Sequence, residues 1–151
     1  MLDLSNVTSI KSALDKEGFV ISNPVGVSMY PMLVQGKDSI VVKKITERPK
    51  ENDVVLYLRD SGKYVLHRVI KVLPDGYVIR GDNCADNEYD IKDRHIIGIL
   101  AGFYKKNKYV DCYTSRSYKL YIYLNRYTYF IRYPLKKLRV LLSKIKHKIL
   151  K

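Results

Sequence analysis

A chain of 151 residues with a formal net charge of +13 is long enough to bury one core and too short for two, so one domain with appendages is expected. Its two cysteines, Cys84 and Cys112, are too few for a disulfide framework, their spacing fits no zinc pattern, and no cofactor is implied. The opening MLDLSNVTSIKSALDKEG lacks the basic and apolar regions of a secretory leader, and no stretch reaches the ~18 uninterrupted apolar residues of a bilayer span, so a cytoplasmic or peripherally membrane-associated chain is expected.

In chain order, Ser5 or Asn6 can cap a short helix through Ile10 and Leu14, which Gly18 is placed to end. The period then changes. The runs FVIS (19–22), SIVVKK (39–44), DVVLYL (53–58), YVLHRVIKV (64–72), GYVIRG (76–81) and HIIGILAGF (95–103) are rich in β-branched and aromatic residues and read as strands. QGKD, ERPKEND, RDSGK and LPDG fall between them as turn signals. Helices are nearly absent from 19 to 110, so the fold class is mostly β: a compact antiparallel core with a short N-terminal helix and a basic amphipathic C-terminal helix.

The composition shifts near Tyr104. Residues 1–103 balance 14 Lys and Arg against 14 Asp and Glu, whereas residues 104–151 hold 14 basic residues, nine tyrosines and one acid, Asp111. A catalytic domain over 1–103 and a Tyr-rich, partly helical extension over 104–151 are expected. From Leu135 the apolar positions Leu138, Leu141, Leu142, Ile145 and Ile149 keep the rhythm of one helix face, with Pro134 in the first turn.

The stretch GVSMYPML (26–33) contains what a core strand does not need, a serine two residues before Tyr-Pro turn chemistry. A serine hydroxyl becomes a useful nucleophile only when a positioned base takes its proton. Of the three histidines, His147 sits in the basic tail and His95 opens an apolar run beside Asp93 and Arg94. His67 lies inside a strand, on the face it shares with Val65 and Val69. A rigidly held imidazole with an ordinary pKa of ~6.5 suits general-base work near neutrality. Taken singly, each residue has a plain alternative: Ser28 as a turn residue, and His67 as a half-buried, hydrogen-bonded strand side chain.

GVSMYPML, NDVVLY, YVLHRVIKV and IRGDN stand in that order between about Val25 and Gly102, and together they resemble the successive boxes of the type I signal peptidases. With His67 where bacterial members carry lysine, the chain is similar to the histidine-using branch, related to the self-cleaving repressor peptidases. The resemblance implies a β-rich catalytic core and a serine endopeptidase acting through Ser28 and His67, with the Ser28 N–H as oxyanion donor. Gly26 stands where the family usually has a second, hydroxyl-bearing donor. The Gly-Asp-Asn match points to Asp82 as the third site residue. The histidine branch usually takes its acid a few residues later, so Asp86, Glu88 and Asp90 stay open beside it, as does the solvated-turn reading of each carboxylate.

A peptide or precursor-protein substrate is the expected partner, and a non-catalytic peptide-binding or membrane-surface module on the same core is the alternative. The basic tail suits an anionic membrane surface through residues 135–150 better than nucleic acid, or else a solvated helix face. Self-cleaving repressors need a DNA-binding domain ahead of the serine, which 27 residues cannot hold.

Overall fold

The computed structural model describes the backbone of residues 7–149, with side chains described from Ile10 to Ile131 and at Tyr133, Pro134, Leu135 and Leu138. The expected Ser5 and Asn6 caps, His147 and the apolar positions beyond Leu138 lie outside the described residues or side chains.

Helix α1 (Val7–Glu17) buries Ile10 and Leu14 in the core and ends where the Gly18 N–H donates to the Leu14 carbonyl at 3.1 Å. Gly18 has φ +77°, a left-handed conformation in which a side chain would be strained. Strands β1 (Phe19–Ser22), β2 (Asp38–Lys44), β3 (Val54–Leu58), β4 (Tyr64–Leu73), β5 (Gly76–Arg80), β6 (Glu88–Ile91), β7 (Ile96–Lys105) and β8 (Lys108–Asp111) are followed by α2 (Arg116–Ile149). All pairings are antiparallel. The sheet runs β1-β2-β7-β3-β4-β5-β6, with β8 also on β7.

Strand β3 shows how the chain fills two cores with one sheet. Side chains alternate across a strand, so Val54 and Leu56 enter a cluster with Leu14, Met29, Met32 and Tyr118, while Val55 and Tyr57 enter another with Val69, Tyr77 and Ile79. All four are buried, which is why DVVLYL reads as a continuous apolar run.

The six expected strands are present, and two more, β6 and β8, escaped the sequence reading. Each is four residues long and strongly polar, EYDI and KYVD, and depends on a neighbour rather than on its own propensity. The C-terminal third is also more integrated than an appendage. Strand β7 continues to Lys105, β8 pairs back onto it, and Tyr118 of α2 is 5% exposed within the first core. Helix α2 starts at Arg116, and Pro134 lies in its interior rather than its first turn.

Candidate active site

The site is built where the Ser28 turn and the 81–84 loop meet strands β3, β4 and β6. After β1 the chain turns through Gly26, whose N–H donates to Gln35 Oε1 at 2.7 Å, and passes Ser28 into a turn with a cis Tyr30–Pro31 bond. Met29, Met32 and Leu33 sink into the first core, and Lys105 Nζ donates to the carbonyls of Pro31 and Met32 at 3.0 and 3.1 Å. Thus the residues after Ser28 are fixed by both apolar burial and backbone clamps.

The 81–84 loop holds Ser28 from the other side. The Asn83 N–H donates to the Ser28 carbonyl at 2.7 Å, and Asn83 Nδ2 donates to the Val27 carbonyl at 2.9 Å. Gly81 makes the approach possible. A Cβ there would stand 2.7 Å from the Ser28 carbonyl oxygen, 2.7 Å from Cys84 Sγ and 2.9 Å from His67 Nε2, so all three surround one small volume that only glycine leaves open.

His67 projects from β4 onto the second-core face, opposite Val55 of β3. Along the neighbouring strands, Val69 pairs with Ile79 and Ile79 with Glu88 of β6, which brings the Glu88 carboxylate to the imidazole row. His67 Nδ1 lies 2.9 Å from Glu88 Oε1. The Tyr57 hydroxyl is 3.2 Å from the same nitrogen and also hydrogen-bonds Glu88. Arg59 grips Glu88 with Nε to Oε2 at 2.9 Å and Nη2 to Oε1 at 2.5 Å. Glu88 and Tyr57 engage Nδ1, and the other ring nitrogen, Nε2, faces Gly81, Cys84 Sγ and the Ser28 carbonyl.

Electrostatics follow from these contacts. Burial alone would lower the His67 pKa, but hydrogen bonds and charge from Cys84 and Glu88 outweigh it and raise the value above the ordinary 6.5. Burial likewise pushes Glu88 upward, yet hydrogen bonds from His67, Arg59 and Tyr57 hold its carboxyl down at about 2. Glu88 is therefore a fixed anion beside an imidazole that favours its proton.

Asp82 serves a different partner. Its carboxylate accepts from Arg68 Nε at 2.8 Å and Nη2 at 2.7 Å, and from the Tyr121 hydroxyl at 2.9 Å. Arg68 alternates to the face opposite His67, where it also donates to the Asn52 carbonyl at 2.7 Å, to the Tyr118 hydroxyl at 3.1 Å and to Met32 Sδ at 3.2 Å. Burial opposes the Arg68 charge, but Asp82 raises its pKa further above the ordinary range. Asp82 and Arg68 thus tie the Ser28 loop, the 81–84 loop and α2 together. Of the four carboxylates left open by the sequence, Asp82 contacts Arg68 rather than His67, and Glu88 is the one at His67. Asp86 and Asp90 make no contact with His67 among the described hydrogen bonds and ion pairs.

The signal for Glu88 was faint. Its strand is too short to show alternation, and the register that aligns it is set by β5. His95 ends a turn of 3-10 helix, its Nδ1 accepting from the Lys92 N–H at 3.1 Å, away from Ser28. Beside Ser28 a pocket opens between the 24–29 segment and β4, lined by Pro24, Gly26, Met29, Tyr64, Val65 and Leu66.

No family model, curated protein or solved structure matches this chain. Its own geometry therefore carries the functional argument.

Proposed function

We propose that this chain is a serine endopeptidase of the signal-peptidase-like kind, with Ser28 as nucleophile, His67 as general base and Glu88 as the carboxylate that orients His67. The observation that carries the reading is the Glu88–His67 contact at 2.9 Å, with the opposite ring nitrogen turned to the volume it shares with the Ser28 loop. The His67 Nδ1–H donates to the ionised Glu88, so Nε2, which shares its volume with Cys84 Sγ, is the nitrogen that takes the Ser28 proton as Oγ attacks a scissile carbonyl. The imidazolium formed is stabilised by the fixed Glu88 charge and returns its proton to the leaving amine. Water, deprotonated by the same nitrogen, then releases the acyl group.

The Ser28 N–H is the oxyanion donor in this scheme. The Gly26 amide is engaged with Gln35. The pocket beside Ser28, with Met29, Tyr64 and Leu66 in its wall, suits a small apolar substrate side chain, and a precursor or leader peptide is the substrate class that fits.

A second reading rests on the hydrogen bond between Cys84 and His67, which gives the imidazole a thiol partner as well. The test compares peptide N-termini by mass spectrometry in cells carrying wild type, Ser28→Ala, His67→Ala or Cys84→Ala. Termini lost with Ser28→Ala and His67→Ala but kept with Cys84→Ala support the serine enzyme. Loss with Cys84→Ala and retention with Ser28→Ala would make the thiol the nucleophile. Identical termini in all four strains would leave a peptide-binding module without catalysis.

A further inference from the structure

Helix α2 has two apolar faces, and the protein core uses only one. Tyr118 enters the first core with Ile122 packed against it, Tyr121 donates to Asp82, and Tyr129 donates to the Ala85 carbonyl at 2.9 Å. Arg80 lies over the Tyr129 ring, 3.4 Å from its centre. These positions follow helical spacing and form the inward face.

The opposite face carries Leu120, Tyr123, Leu124, Tyr127, Phe130 and Ile131, all exposed. Phe130 is 77% exposed and Ile131 67%, values that a helix packed on its own domain would not require. Leu135 and Leu138 are exposed as well and extend the line. A contiguous apolar surface of this length marks a docking face. Within α2 and to the end of the chain, residues 116–151 hold 11 Lys and Arg and neither Asp nor Glu.

We infer that α2 docks this protein on an anionic lipid surface through the Leu120–Leu138 stripe. The charge decides the occupant. Arg126 of α2 pairs with Glu51 at 4.0 Å, but the helix itself carries no acid. A second copy would therefore bring the same excess of cations against itself, whereas anionic headgroups neutralise them while the leucine and aromatic side chains enter the acyl boundary. Nucleic acid would meet the cations but leave the aliphatic residues without a partner. Among the described residues no helix is long and apolar enough to cross a membrane, so the helix lies in the interface. Because Tyr129 is bonded to Ala85 and Tyr121 to Asp82, docking also fixes the orientation of the 81–85 loop, and with it the candidate site, relative to the bilayer.

The test is co-sedimentation of the full chain with phosphatidylcholine vesicles, with or without phosphatidylglycerol, a readout independent of cleavage. Binding should require phosphatidylglycerol and weaken as salt rises. The double variant Phe130→Glu/Ile131→Glu should reduce partitioning by at least about tenfold, with its thermal unfolding unchanged because both side chains are exposed. A Tyr127→Trp reporter should shift its emission to the blue only with the anionic vesicles. Wild type left in the supernatant, or full binding by the double variant, overturns the inference. So does a concentration-dependent dimer that the double variant abolishes, which would make the stripe a contact between copies, and so does preferential binding to RNA.

Discussion

At His67, burial and partnership act in opposite directions. Glu88 and Cys84 win, so the imidazole keeps its proton to a higher pH than in the unfolded chain. The neutral imidazole that the proposed serine enzyme requires therefore accumulates as pH rises through that raised value, and peptide cleavage should rise over the same range. Glu88→Gln removes the fixed anion, so the rising limb of a kcat/KM profile should move to lower pH while kcat falls roughly 10²–10⁴-fold. The two groups also leave signatures in stability. The His67 contribution is complete below the unfolded imidazole value and is lost as pH climbs through the raised one. The Glu88 contribution is complete above the ordinary 4.5 and is lost as pH falls toward about 2. Asp82 should behave differently. Its side chain and that of Arg68 are 1% and 3% exposed, so Asp82→Asn strands a buried cation and should cost about 3–5 kcal/mol in denaturant unfolding. The midpoint of the activity profile should not move. A shifted midpoint with unchanged stability would return Asp82 to the base.

Among the elements, the 81–84 loop is where geometry is tightest. Gly81→Ala places a methyl group within 3 Å of the Ser28 carbonyl, Cys84 Sγ and His67 Nε2. Cleavage should drop sharply while circular dichroism still reports a folded sheet, and an active Gly81→Ala protein would show that the loops are not held this close. Strand β3 answers to packing instead. Leu56 is fully buried on the face away from Tyr57 and His67, so Leu56→Ala should cost about 2–5 kcal/mol in unfolding and leave the pH profile of cleavage unchanged.

Over the whole molecule, the polar network on Arg68 joins parts far apart in sequence: the turn after Ser28, the β5–β6 connection and the start of α2. Helix α2 is consequently a structural member of the β domain. Ending the chain before Arg116 should uncover Arg68 and the first core and lower the midpoint of thermal unfolding, whereas ending it after Tyr133 should keep the fold and reduce vesicle binding. Equal stability of the two truncations would contradict the integrated helix. The charge of the tail acts at the same scale, because its cations are close enough together to attract an anionic surface yet screened at high salt.

Local chemistry was enough to read the six apolar strands, the first helix and the face of His67, because β-branched alternation, turn residues and helical spacing act within a few residues. The same patterning put Arg68 on the face opposite His67, although nothing nearby in sequence says what a buried arginine on a strand must bind. Tertiary structure decided the rest. Glu88 reaches His67 through the register of β6 on β5 and β5 on β4, and Asp82 pairs with Arg68, a buried guanidinium that needs a countercharge. The short strands β6 and β8 exist only because neighbours offer unpaired backbone groups. The start of α2 at Arg116 depended on a core that could accept Tyr118, a contact whose partners are far away in the chain.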